Sequence, residues 1–370
     1  MSTQTEAVTT TVGGERLIEL DVLRAVALIG VCVLNYHGYM ILRGAPYPAD
    51  GLLDELLDPW RGPLSTRFAA VFVTVAGMGI ALLTSRAVAS RDPARISAVR
   101  WTLLRRGVLL FAGGYFLDWV WNGTILFYYG ALFVIAAALF TVRDRWLALV
   151  GAAAAVAAAG VRWWILDRTS NGHIVEWLEP GPKVDAHSPR DLVLDVFVRG
   201  THPLLPWLAF MCLGIALGRR LPFSTLTRLQ LVSIGLPIAA FGYLLSMGLP
   251  LHPTLRSTDP FNRGVLYTAT AVGTTLVAIP LIGWLAQRTR ASRATRALAH
   301  TGRTTLTLYV GHALVFNLLV DWLQWVKPDG AGTALLFALC YWLFAVALSV
   351  ELHRRFRNGP LEWVYRKFSE

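Results

Sequence analysis

The chain has 370 residues, 55% of them hydrophobic and only 15% charged, with a mean hydropathy of +0.51. Soluble domains carry about 25% charged residues, so this composition excludes an ordinary soluble enzyme and fits a bilayer, where each span takes about 20 mostly apolar residues. The net charge of +11 does not imply nucleic acid, because no soluble binding module accompanies it and membrane proteins collect Arg and Lys in their cytoplasmic loops.

In chain order, residues 1–15 are polar and Thr-rich and are expected to form a disordered cytoplasmic tail, with residues 16–370 forming a single transmembrane domain. Apolar runs follow near 20–40, 67–85, 107–120, 123–141, 146–166, 203–218, 229–250, 263–286, 304–323 and 332–350. The fold class they predict is all-α: a polytopic integral membrane helical bundle of about ten transmembrane helices. Most of the basic residues, notably Arg86–Arg106, Arg143, Arg145, Arg219–Arg228, Arg288–Arg303 and Arg354–Lys367, fall on one side when spans alternate from the N-terminus. That asymmetry places both termini inside. Two longer outer loops are expected near 41–66 and 167–202, the second holding Asp167, His173, Glu176, Glu179, Asp185, His187 and Asp191.

The first span is the richest in polar groups. Arg24 and Asn35 are eleven positions apart, about 20° on a helix of 3.6 residues per turn, and Asp21 lies close to the same line. These three form a polar stripe that should face the bundle, since ionisable groups in a bilayer are paired or functional. His37 lies about 200° from Asn35, so it reaches that stripe only if the helix ends or unwinds by Gly38. A second stripe, Thr305–Tyr309–His312, runs along one face of the ninth span, with His312 near mid-membrane. His202 opens the sixth span.

The 14 Trp residues include Trp60, Trp119, Trp121, Trp163, Trp164, Trp207, Trp322 and Trp325 near outer span ends. These suit an interfacial belt, or a surface on which a saccharide stacks. Cys32, Cys212 and Cys340 sit inside apolar runs, without CxxC spacing, and read as packing residues. There is no metal-ligand spacing, P-loop or nucleophile elbow.

Several segments together resemble the heparan-α-glucosaminide N-acetyltransferase family and the related bacterial YeiB-like membrane proteins. They are Leu20-Asp21-Val22-Leu23-Arg24-Ala25 with Val33-Leu34-Asn35, the VFVTVAGMGIAL of 71–82, the ILFYYG of 125–130 and the PWLAFMCLGIALG of 206–218. The TGRTTLTLY of 301–309 and the GPLEW of 359–363 followed by Arg366 complete the series. The resemblance implies acyl transfer from cytosolic acetyl-CoA or another acyl-CoA to an extracytoplasmic glycan or lipid-linked saccharide, with no metal. It assigns chemistry to Asn35 and to a His in the first outer segment, for which His37 is the match here, though closer to Asn35 than in the family.

Acyl transfer needs a base and an oxyanion donor. His37 or His312 supplies the first and Asn35 the second. Arg24, with Asp21, Arg105 and Arg106, is expected to hold the donor, since cations on an inner face suit phosphates. His202, Trp60, Trp207 and Tyr309 are expected to hold the acceptor. The implied setting is a bacterial plasma membrane with lipid all round, and it admits a homodimer. The alternatives are a transporter or flippase in which Asp21, Arg24 and His312 line a pathway, and a membrane scaffold.

Overall fold

The computed structural model describes residues 11–12, 15–48, 51–178, 188–356 and 358–369. The expected tail over 1–15 lies mostly outside these; within it, Thr11–Val12 pairs antiparallel with Glu15–Arg16. Among the described residues every later element is a helix. Helix α1 spans Ile18–Ile41 and α2 Leu52–Leu56. Then come α3 Arg67–Ser90, α4 Pro93–Leu117, α5 Leu126–Leu139, α6 Asp144–Ser170 and α7 Pro189–Leu194. The chain continues with α8 Leu204–Gly218, α9 Thr225–Gly248, α10 Pro253–Arg256, α11 Val265–Arg288 and α12 Arg293–Arg303. It closes with α13 Thr305–Phe316, α14 Ala331–Phe356 and α15 Pro360–Ser369.

Each of the ten apolar runs is a helix. Among the described residues, six helices are long and apolar enough to cross a membrane: α3, α6, α9, α11, α14, and α13 with its π-helical continuation to Trp322. A seventh is reached if Pro189–Arg199 and α8, bent by 57°, count as one span. The remaining runs explain the difference from ten. The α5 helix has only 14 residues, and α1 and α4 are 24 and 25 residues long but carry Glu19, Asp21 and Arg24, and Arg95, Arg100, Arg105 and Arg106, within them. Several starts are written in the sequence: Asp92, Ser224 and Ser292 each cap a backbone N–H of the following turn, with Pro93 at the first helical position of α4.

The bundle is built around α1, which packs on α3, α11, α12, α13 and α14. Outer pairs form around it: α4 with α5, α9 with α11, and α8 with both α3 and α6. Small residues let α3 and α8 cross closely. A Cβ on Gly214 would lie 2.1 Å from the Thr74 carbonyl, and one on Gly77 2.6 Å from that of Met211. With lipid as apolar as the side chains, such backbone approach is a main source of helix association. Helix α9 turns Leu226, Leu229, Leu236, Phe241, Leu244 and Met247 outward, a lipid-facing wall.

The structure divides the tryptophans. Trp119, Trp163, Trp164, Trp322 and Trp325 are exposed, as a belt requires, while Trp121 and Trp207 are core residues. The cysteines are unpaired; Cys32 and Cys212 are buried, whereas Cys340 is exposed on α14. In the second long loop, Glu179, Asp185 and His187 lie outside the described residues, while Asp191 and Asp195 pair with Arg199 at 2.7 and 2.6 Å.

Candidate functional site

Helix α1 carries both halves of the site. It is unbroken from Ile18 to Ile41, so Arg24 and Asn35 lie on one face about 16 Å apart by helix rise.

At the arginine-rich end, Asp21 is fully buried and its carboxylate accepts from Arg303 Nε at 3.0 Å and from Arg24 Nη1 at 3.3 Å. A buried carboxylate between two guanidiniums is compensated rather than costly. Gly302 lets α12 come this close, because a Cβ there would fall 1.7 Å from the Asp21 carbonyl oxygen. Gly79 of α3 has a related role: a Cβ would meet the Arg24 guanidinium at 2.8 Å. Two sequence motifs, LDVLR and TGR, thus form one joint.

Above that joint lies a cavity of about 250 Å³. Arg24, Arg106, Arg303 and Arg366 line it together with Glu362, and Phe72, Ala76, Ile80, Leu83, Leu110, Leu126, Phe133 and Leu306 supply the apolar wall. Tyr129, Tyr309, Ile125 and Thr305 are also part of the lining. Helix α15 closes one side. Its Glu362 carboxylate accepts from the backbone N–H groups of Leu306 and Thr307, at 2.6 and 3.0 Å, and from the Thr307 hydroxyl at 2.6 Å. This carboxylate therefore caps the start of α13. Burial raises the Glu362 pKa above the usual carboxylate range, while these hydrogen bonds act against that rise. Arg106 joins α4 to α15 through the Ser369 hydroxyl at 3.2 Å and lies over the Tyr365 ring.

Tyr309 connects the cavity to the second half of the site. Its hydroxyl accepts from the Ile125 N–H at 2.9 Å and pairs with the Thr124 hydroxyl at 3.0 Å. Its carbonyl accepts from Nδ1 of His312, one turn further along α13. A carbonyl only accepts, so Nδ1 carries the proton and Nε2 is left with a lone pair. That lone pair accepts from Asn35 Nδ2 at 3.4 Å. His312 is fully buried, with Tyr309, Trp121 and Tyr36 rings at 4.8, 5.1 and 5.7 Å. A neutral imidazole with a fixed tautomer and an amide N–H beside its free nitrogen can take up a proton and steady a developing oxyanion.

The expected site residues thus separate into groups. Asn35 meets His312, and Arg24 and Arg106 line the cavity with Asp21 beneath Arg24. Arg105 points outward from α4 and is exposed. His37 does not join Asn35: α1 does not unwind at Gly38, and the ring turns instead to the 41–66 loop. There its Nδ1 reaches the Leu57 carbonyl at 2.8 Å and its Nε2 lies 3.5 Å from Asp54. Tyr309 lies at the cavity's deep end rather than with the other acceptor-side residues. His202 packs edge-on against Trp207 at 4.5 Å, and Trp60 against Tyr47 at 5.2 Å. Arg303, Glu362 and Arg366 were within quoted motifs but had no expected role. Trp121 was expected only in the outer belt or stacking surface, and Tyr129 lay in the ILFYYG segment without an expected role; packing brings Trp121 beside His312 and Tyr129 into the cavity wall.

The family described as heparan-alpha-glucosaminide N-acetyltransferase, catalytic, matches residues 16–248, and a family described as protein of unknown function (DUF418) matches residues 219–370. No curated relative matches the chain. The two matched segments divide the site between them, Arg24, Asn35 and Arg106 falling in the first and Arg303, His312, Glu362 and Arg366 in the second.

Proposed function

The chain belongs to the heparan-alpha-glucosaminide N-acetyltransferase catalytic family, a multi-pass membrane acetyltransferase kind, and we propose that it transfers an acetyl or related acyl group from a cytosolic acyl-CoA to a saccharide or lipid-linked saccharide across a bacterial plasma membrane. We place ten spans with both termini in the cytoplasm, which turns the arginine-lined cavity toward the donor. The observation that carries this reading is the continuity of the site: four arginines surround a cavity whose deep wall, Tyr309, is one helical turn from the Asn35–His312 pair.

Charge sets the order of events. The guanidiniums of Arg24, Arg106, Arg303 and Arg366 hold the donor's phosphates, as charge-assisted bonds do. The uncharged arm follows the apolar wall toward Tyr309. An acceptor hydroxyl or amine then approaches from the opposite face. As its oxygen or nitrogen bonds to the thioester carbonyl carbon, Nε2 of His312 removes its proton, and the Asn35 amide donates to the resulting oxyanion. Collapse of the tetrahedral intermediate breaks the carbon–sulfur bond, and the imidazolium returns the proton to the leaving thiolate. His202, Trp207 and Trp60 lie on the acceptor side of this scheme.

The test is turnover by the purified protein. Acetyl-CoA with a glucosamine-type acceptor should yield free thiol in step with acetylated amine or hydroxyl, and His312→Ala should lose that yield while still binding CoA. Binding of CoA with no thiol release in the wild type would favour transport over transfer.

A further inference from the structure

One group on the cavity wall has no task in the scheme above. Tyr129 lies on α5, on the face shared by Ile125, Leu126 and Phe133, all of which line the cavity. It is 6% exposed and packs near Phe72, with ring centres 5.5 Å apart. Among the described residues its hydroxyl has no hydrogen-bond partner. Buried hydroxyls are nearly always paired, because leaving one unmade costs free energy. Tyr309, by contrast, has its hydroxyl committed to Thr124 and Ile125. The orphan hydroxyl lies within electrostatic reach of the Tyr309 hydroxyl and the Arg24 guanidinium, one group from each end of the cavity.

Position narrows what it can meet. Tyr129 is about 6 Å along α5 from Ile125, by the helix rise, on the side toward the arginines. Phosphates are taken by the arginines, and the thioester must reach the deep end to meet His312. What passes Tyr129 is therefore the uncharged arm between them, whose strong acceptors are amide carbonyls. Resting on the donor reading above, we propose that Tyr129 is a donor-recognition residue whose hydroxyl donates a hydrogen bond to an amide carbonyl of the acyl-CoA arm.

Tyr129→Phe removes one oxygen that hydrogen-bonds to no described residue, so the variant keeps its fold and its melting temperature. Calorimetry on the full chain, with acetyl-CoA and with adenosine 3′,5′-bisphosphate (which has the phosphates but no arm), separates the possibilities. The expected result is that Tyr129→Phe weakens acetyl-CoA by about three- to tenfold, the range for one neutral hydrogen bond, and leaves the bisphosphate unchanged. In turnover, KM for acetyl-CoA rises by the same factor and kcat is retained. Unchanged acetyl-CoA affinity overturns the proposal and leaves the donor reading standing. An equal loss on both ligands, or a marked fall in melting temperature, also overturns it, since either assigns the hydroxyl a structural role. If the wild-type protein binds neither ligand, the donor reading itself fails and this inference fails with it.

Discussion

His312 and His37 show how little a residue type decides without its neighbours. Both are buried histidines next to the bundle core. His312 has one nitrogen fixed on its own backbone and the other facing an amide, 3.4 Å from Asn35. His37 has its two nitrogens directed at Leu57 and Asp54 of a loop. Losing a general base costs about 10²–10⁴ in rate, so His312→Ala is expected to lower kcat by that factor with CoA affinity unchanged. Asn35→Ala should lower kcat by about 10²–10³, the range for one oxyanion donor. His37→Ala should keep kcat within a few-fold but make the 41–66 loop more open to protease; a loss of kcat matching that of His312→Ala would move the base back to His37. Arg303→Ala takes one of the two guanidiniums from the buried Asp21 carboxylate, leaving Arg24 beside it, as well as removing a cavity cation. It should therefore destabilise the protein by about 1.5–3 kcal/mol, the range for a hydrogen bond to a charged group, as measured by melting in detergent. Asp21→Asn together with Arg303→Ala should recover part of that loss.

At the scale of elements, the site depends on three joints. The α1–α12 crossing needs Gly302, and Gly302→Ala puts a methyl carbon 1.7 Å from the Asp21 carbonyl oxygen. That contact is with backbone and has no flexible end to yield, so the variant should be destabilised by about 1–3 kcal/mol through overpacking and should lose CoA affinity as Arg303 shifts. The α3–α8 crossing needs Gly77 and Gly214, and α3 carries Gly79, which leaves room for Arg24. The third joint is the α15 cap on α13. Glu362→Gln keeps shape and one acceptor but removes the charge that faces two N–H groups and a hydroxyl, so a loss of about 1 kcal/mol is expected for the cap. Because α13 carries Tyr309 and His312, the same change should reach both CoA binding and kcat. A kcat fall with melting and binding untouched would contradict that account.

For the whole molecule, orientation is the property that the function needs most. The donor cavity must face the compartment that holds acyl-CoA. A cytoplasm-only reporter fused after Arg95, after Arg293 or at the C-terminus should be active, and a reporter that works only outside should be active near Val175. The opposite result at any of these points would turn the arginine end away from the donor and remove the transfer scheme. The exposed apolar walls of α9 and α14 are the surfaces on which lipid is expected, and introducing Asp at Phe241 should block membrane insertion or lower the yield sharply, because a carboxylate facing lipid costs about 2.5–3.5 kcal/mol at a helix centre.

The sequence by itself determined the all-helical membrane character, because twenty-residue apolar runs have no other stable use and helices satisfy every backbone group internally. It also determined that Arg24 and Asn35 share a face, since helix period is local geometry, and its short motifs marked the segments that meet at the site. Only the tertiary structure decided which polar groups meet. Asn35 and His312 are 277 positions apart, and nothing in a local period specifies that α1 lies against α13. The same holds for His37: residue spacing left open whether the helix would loosen at Gly38, and packing of the 41–66 loop against α1 and α14 supplied partners that keep it helical to Ile41. Arg303, Glu362 and Arg366 acquire their place in the cavity only when α12 and α15 dock on α1 and α13. Tyr129 is distinguished from the other tyrosines solely by a hydroxyl that no described residue reaches. Periodicity is fixed by the backbone one turn at a time, whereas a site made from seven helices exists only once their faces have been packed together.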